Sequence, residues 1–316
     1  MTALVLLALS LPCVYWPFSA ETRSALDAAG IKQICVPPDR ADSWRATGFT
    51  VTPLTDAELA ARERLPAPGT APRPGIASPT RAPWIDASGW RFARHPASKY
   101  VYDLPAGKAP LAAAEAFAYG VDAVLKIDLV DPADAVRLGR MLTFLASLPP
   151  LDLPAVADVG IVDDESVATG EVMNLLARRN LLFQVVQSAS SRFPVTIRIG
   201  TPEYTREEAA DPSAFAQKIR RQLTDERRAL RVYGSEVVIC RLTADAGRAR
   251  LHLVNYGGRE IEGLRIRVRG TYGGGEVHVA GAGRLALADR VVSGDATEFT
   301  IPRITTYAVV DLESAR

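Results

Sequence analysis

Short apolar runs alternate with helix-like segments through the first 150 residues. Ile31 to Val36 and Phe49 to Leu54 read as strands. Ser19 to Ala29 and Asp39 to Thr47 read as helices, closed by Gly30 and Gly48, where a glycine just past a helix C-terminus belongs. Thr55 to Leu65 predicts one more helix. Pro66 to Pro83 then breaks the pattern with prolines and glycines, and reads as a surface excursion holding a short strand at Gly75–Ser78. Trp84 to Phe92 predicts a tight turn between two aromatic-rich arms. Tyr100 to Leu104, Leu111 to Tyr119 and Ala123 to Asp128 restore strand, helix and strand. Asp131-Pro132 opens a helix that Pro149-Pro150 ends, with the carboxylate at the cap and Pro at the first helical position. Strands and helices at this spacing predict a parallel sheet or barrel.

The stretch Ala155–Val186 carries the clearest pattern. Val156 to Val162 is an apolar run broken by one Asp, and Leu181 to Val186 is a second. Between them lie Asp163, Asp164, Glu165 and a helix opening at Thr169-Gly170-Glu171. A right-handed βαβ crossover buries both strands side by side. Phe193 to Gly200 predicts another strand, and Asp211-Pro212-Ser213 opens a long helix to about Val232. From Glu236 the period changes to two. Arg248 to Leu253 and Leu264 to Arg269 alternate strictly, as strands do that bury one face and wet the other. The expected fold class is therefore α/β with an all-β end. It comprises a reduced or partial β/α barrel-like half over residues 1–150, a Rossmann-like α/β middle unit over 151–232, and an antiparallel β-sandwich over 233–316.

Composition supports packed cores: 48% of the 316 residues are hydrophobic and 23% charged. A net charge of +1 argues against a nucleic-acid partner, whose binding rests on a basic face. Cys13, Cys35 and Cys240 have no metal-ligand spacing and cannot form a complete disulfide set, and Cys35 and Cys240, inside strand-like runs, read as buried, inert thiols. Residues 1–12 hold an apolar run like the core of a signal peptide, without a preceding Lys or Arg. The expected location is secreted or periplasmic, with cytoplasmic as the alternative.

Candidate chemistry lies at predicted strand ends, where parallel sheets and barrels collect their sites. Asp103 and Asp128 end consecutive predicted strands and are the candidate catalytic pair, since glycoside hydrolysis needs two facing carboxyl groups. Trp16, Trp84, Trp90 and Tyr102 are the candidate substrate-binding residues, because a flat ring offers its face to a sugar. Trp44 reads as core, and Glu115 as a solvated or hydrogen-bonded side chain. The Asp163-Asp164-Glu165 cluster reads as complementing the dipole of the next helix rather than as a cation site. No metal site or cofactor is expected, and no zinc, nucleotide or serine-hydrolase motif occurs.

The order of parts, with VADVGIVDDES, MNLLARRNLLFQVV and the closing EFTIPRITTYAVVDL, resembles the layout of family-42-type β-galactosidases. That resemblance implies a glycosidase barrel, an amidotransferase-like middle domain used for assembly, and a small β domain. No Cys stands at a nucleophile position of the middle domain, so amidotransferase activity is not implied. The chain also lacks any Asn-Glu dipeptide, which such enzymes place at one strand end. The expected function is a glycoside-hydrolase-like protein that acts on or binds an oligosaccharide. The alternative is a non-catalytic scaffold whose reduced barrel and middle domain assemble with copies of itself or a partner, a homo-oligomer forming through the middle domain.

Overall fold

The structure, a computed structural model, describes residues 11–71, 84–128 and 132–314. Residues 1–10 of the candidate signal segment, the expected strand at Gly75–Ser78 and the cap residue Asp131 lie outside the described residues. The chain divides into two compact units. One comprises Met1–Gly69 and Pro96–Asp152, the other Thr70–His95 and Leu153–Arg316. Residues 70–95, expected with the first half, thus belong to the second unit. Residues 153–316, expected as two domains, fall within that same unit.

In chain order the elements begin β1 (Cys13–Tyr15), α1 (Arg23–Ala29), β2 (Gln33–Val36), α2 (Ala41–Arg45), β3 (Thr50–Pro53), α3 (Asp56–Ala60) and β4 (Glu63–Leu65). A two-stranded sheet of β5 (Gly69–Ala71) and β6 (Trp84–Asp86) follows, then α4 (Gly89–Arg94). The first unit resumes with β7 (Lys99–Leu104), α5 (Ala109–Tyr119), β8 (Asp122–Ile127) and α6 (Pro132–Ser147). Two sequence expectations change here. The helix expected over Thr55–Leu65 stops at Ala60, fixed at its start by a reciprocal capping box between Thr55 and Glu58. Glu63–Leu65 instead adds to β7 as a parallel edge strand. The turn expected at Trp84–Phe92 is a strand and a helix.

The sheet of the first unit has six strands in the order β3-β2-β1-β8-β7-β4, and every pairing is parallel. The order runs from β3 back to β1 and then from β8 back to β4. Successive side chains in each strand point to opposite faces. Tyr102 meets α5, its hydroxyl donating to Glu115 at 2.5 Å, and both residues are fully buried. The opposite face carries Cys13, Cys35, Val101 and Val124 with Tyr15 packed against them. On the helical side α1 lies so close to α6 that a Cβ on Gly139 would sit 1.7 Å from the Ala29 carbonyl oxygen, so only glycine fits there.

Cys35, expected as a free thiol, is instead disulfide-bonded to Cys13. β1 and β2 pair with Tyr15 beside Cys35, which turns both cysteines to one face with Cα atoms 5.7 Å apart. Cys240 is free and buried, as expected.

The second unit contains the crossover β9 (Val159–Val162), α7 (Val167–Arg178) and β10 (Phe183–Val186), whose strands pair in parallel. The helix opens two residues before the expected Thr169, because the Ser166 hydroxyl caps the Thr169 N–H at 3.2 Å. β11 (Val195–Ile197) joins the other side of β9. α8 (Arg206–Ala209) and α9 (Pro212–Arg227) follow, the latter capped by Asp211. β12 (Leu230–Val232), β13 (Val238–Ala244), β14 (Arg248–Asn255), β15 (Ile261–Arg269), β16 (Tyr272–Val279), β17 (Gly283–Ala286), β18 (Ala288–Ser293), β19 (Ala296–Ile304) and β20 (Tyr307–Ser314) complete the chain. They form two antiparallel sheets, β12-β15-β19-β18 and β13-β14-β20-β16-β17. A core that includes Leu251, Ile266, Val277 and Phe299 lies among these strands.

Buried polar bonds join the crossover to these sheets. Asn180, in the left-handed region that ends α7, donates from Nδ2 to the Val238 carbonyl at 2.9 Å. Its Oδ1 accepts the Cys240 N–H at 2.8 Å. Asp158, the acid that interrupts the apolar run, is 1% exposed and accepts the Ala229 N–H at 2.9 Å. Burial raises its carboxyl above the ordinary aspartate value, against that bond and the arginines 269 and 228.

Two outcomes follow from these joints. Breaking the Cys13–Cys35 bond should lower the unfolding free energy by about 3 kcal/mol, since the cross-link closes a short loop. Denaturant titration with and without reductant measures it. Asn180→Ala leaves the Val238 carbonyl and the Cys240 N–H buried without partners and should cost about 3 kcal/mol, read from the same titration.

Candidate functional site

The face of the parallel sheet opposite α5 ends in charge. Along β7, Val101 lies on this face and Asp103 follows at the same parity, near the strand's carboxyl end. On β8, Lys126 pairs in register with Asp103. The Lys126 ammonium meets Asp103 Oδ1 at 2.9 Å, and Arg64 Nη1, from β4, donates to Asp103 Oδ2 at 2.9 Å. All three side chains reach water, with Asp103 45% exposed. Tyr15, at the end of β1, is in the same field: burial raises its phenol, as does Asp56, while Lys126 and Arg40 pull it down. Four residues from four different segments thus supply an acceptor, two cationic donors and a phenol at one rim. Sugar hydroxyls need such mixed donors and acceptors.

The arrangement is poorly suited to general-acid work. A carboxyl in that role must aim a proton from one oxygen at the leaving group. Both Asp103 oxygens instead accept bonds from cations. Asp128 follows β8, exposed, with its backbone N–H donating to the Leu104 carbonyl at 3.2 Å.

The expected aromatic platforms lie elsewhere. Trp16 is 3% exposed, its Nε1–H donates to the Thr22 hydroxyl at 2.9 Å, and Phe18 packs edge-on against it. Tyr102 is buried on the helical face. Trp84 and Trp90 belong to the second unit. Trp90 sits in that unit's core with Val172 and Leu176, and the Arg178 guanidinium stacks on Trp84 at 3.9 Å. Of the six expected residues, Asp103 belongs to this rim and Asp128 follows Lys126 at the same strand end. Tyr15, Arg64 and Lys126 were missed by sequence reasoning. The Val124-x-Lys126-x-Asp128 spacing was the available signal, because alternation alone puts Lys126 on one face with Val124.

A cavity of about 470 Å³ also opens on this face, lined by Gln33, Lys99, Asp122, Arg62 and Glu58 around the disulfide. Gln33, Lys99 and Asp122 are the first residues of β2, β7 and β8, so it opens at the end opposite Asp103. Arg62 closes it, bonding Asp122 Oδ1 at 2.7 Å.

No protein-family model matches the sequence, and no curated protein matches it. Among solved structures, one with a TM-score above 0.5 shares the fold, and others are similar at lower scores. α-L-Fucosidase isoenzyme 2 from Paenibacillus thiaminolyticus superposes with a TM-score of 0.57 at 10% identity, over 87% of this chain and 70% of that one. A rhamnosidase from Novosphingobium sp. PP1Y gives 0.46 at 11% identity, over 85% of this chain and 36% of that one. A catalytic mutant of the GH42 β-galactosidase Gan42B from G. stearothermophilus gives 0.40 at 9% identity, over 95% and 64%. The fold is shared with that α-L-fucosidase: a parallel-sheet α/β part with antiparallel sheets.

The acidic loop of the second unit is committed internally. Arg94 pairs with Asp163 through two bonds of 2.7 Å, which with the Glu165 N–H lowers that carboxyl against its burial. His95, Asp163 and Glu165 place ligand-type atoms within 4.8 Å of one another, but the Arg94 fork occupies both Asp163 oxygens. For Asp164, burial pushes the carboxyl up. Bonds from Ser166 and the Thr169 hydroxyl, with Arg206 nearby, outweigh this and hold it at about 2. A depressed folded value gives stability that is present above the unfolded aspartate value and lost as pH falls through the folded one. The Asp164 contribution should therefore be complete above roughly pH 4 and vanish as pH drops through about 2. Acid unfolding of wild type against Asp164→Asn, whose curve should lack that component, checks it.

Proposed function

We propose that the first unit binds an oligosaccharide at the rim formed by Tyr15, Arg64, Asp103 and Lys126, without hydrolysing it. The observation that carries this reading is the clamping of both Asp103 oxygens, by Lys126 and by Arg64, at the carboxyl end of a parallel sheet. The fold similarity to an α-L-fucosidase supports a saccharide as the ligand class. A protein that keeps the sheet but spends its strand-end acid on two cations retains recognition and loses acid chemistry. A family-42-type layout agrees with this reading, the barrel being reduced and the Asn-Glu pair missing. The buried Cys13–Cys35 disulfide supports a secreted or periplasmic location, where such bonds persist.

Hydrolysis would instead require Asp128 as acid beside Asp103 as nucleophile or base. A glycan array, followed by calorimetry and a broad hydrolysis panel, separates the two. Wild type should retain at least one oligosaccharide and turn over none. Asp103→Asn should weaken binding at least about tenfold, or 1.4 kcal/mol, with an unchanged melting temperature. Turnover that Asp103→Asn abolishes would replace the binding reading with the hydrolytic one. Failure to retain any glycan would remove both.

A further inference from the structure

The second unit holds a separate cavity of about 820 Å³, beside the end of α7 and near β12. Five arginines line it: Arg178, Arg179, Arg220, Arg228 and Arg231, while Glu236 is the one carboxylate among the lining residues described. Behind them Asp225 receives Arg220, Arg228 and Arg231, each at 3.2 Å, and so answers three guanidinium groups with a single charge. Arg228 has a side chain only 5% exposed. Its Nη2 donates to the carbonyls of Arg179 and Asn180, but its Nε–H has no hydrogen-bond partner among the described residues. Arg179, fixed by the Ser213 hydroxyl at 2.9 Å, likewise keeps a buried Nε–H unmatched.

Such crowding is costly without an anion. Burial lowers the Arg179 guanidinium from its ordinary value, and the neighbouring Arg220 lowers it further. Buried donors left unmatched weaken the fold until a ligand answers them. Guanidinium forks match the geometry of tetrahedral oxyanions, and a bare ion would leave most of this volume empty. The volume lies within the range of small-molecule sites, and Ile85, Leu175 and Val237 offer apolar wall.

We propose that this cavity binds a small organic molecule bearing a tetrahedral oxyanion, a phosphate or sulfate ester. The site is formed wholly by the second unit, so it stands or falls apart from the saccharide rim of the first.

Calorimetry at low ionic strength tests it with glucose 6-phosphate, glucose 6-sulfate, inorganic phosphate, glucuronate and glucose. At least one ester should bind, with glucuronate at least tenfold weaker and glucose silent. The phosphate and sulfate arms identify which ester fits. Arg220→Gln and Arg231→Gln, whose side chains are partly exposed, should each weaken the ester at least fivefold. Arg198→Gln, on an exposed residue outside the lining, should leave it unchanged. Binding should also fall steeply with added salt. Should either variant fail to fold by circular dichroism, the wild-type ligand series and its salt dependence decide. Absence of ester binding at millimolar concentration overturns the proposal. So does glucuronate binding as tightly as the esters, or a folded pair of variants that bind like wild type.

Discussion

Every side chain in a parallel strand must choose between the helical layer and the opposite face, and that binary choice governs the first unit. In β1 it sends Cys13 and Tyr15 one way. In β7 it gives Tyr102 to Glu115 on α5 and Asp103 to the charged rim. A single-residue slip would exchange these roles along a whole strand, placing a carboxylate against the alanine-rich helix. The parallel register of six strands therefore positions the disulfide, the buried Tyr102–Glu115 pair and the rim together.

The second unit depends on a different device. Its crossover and its antiparallel sheets meet through Asn180, Asp158 and Arg228, polar groups buried almost completely. Each bonds main-chain groups of the neighbouring segment, so the junction is held in one geometry. Apolar contacts alone would permit sliding. This accounts for 153–316 behaving as one compact unit although its strands are parallel in one part and antiparallel in the other.

Architecture was legible wherever the pattern is local. Period-two runs after Glu236 became strands at nearly their expected positions, and Gly30, Asp211 and Trp44 act as their chemistry suggests. The site was less legible, since its members lie far apart: Arg64 and Asp103 are 39 residues apart and meet only through a strand that sequence spacing read as helix. The tryptophans misled for a physical reason. A large ring beside a strand end can face solvent or fill a gap, and Trp16 and Trp90 fill gaps. The disulfide was hidden similarly, because pairing two cysteines requires knowing that β1 and β2 are neighbours with matched parity.

The same disulfide has a mechanical corollary. β1 is three residues long, and its few ladder bonds alone would unzip readily under tension applied from the N-terminal side. With Cys13 covalently tied to Cys35, such a load passes at once into β2. The first strand then resists peeling as part of a two-strand anchor.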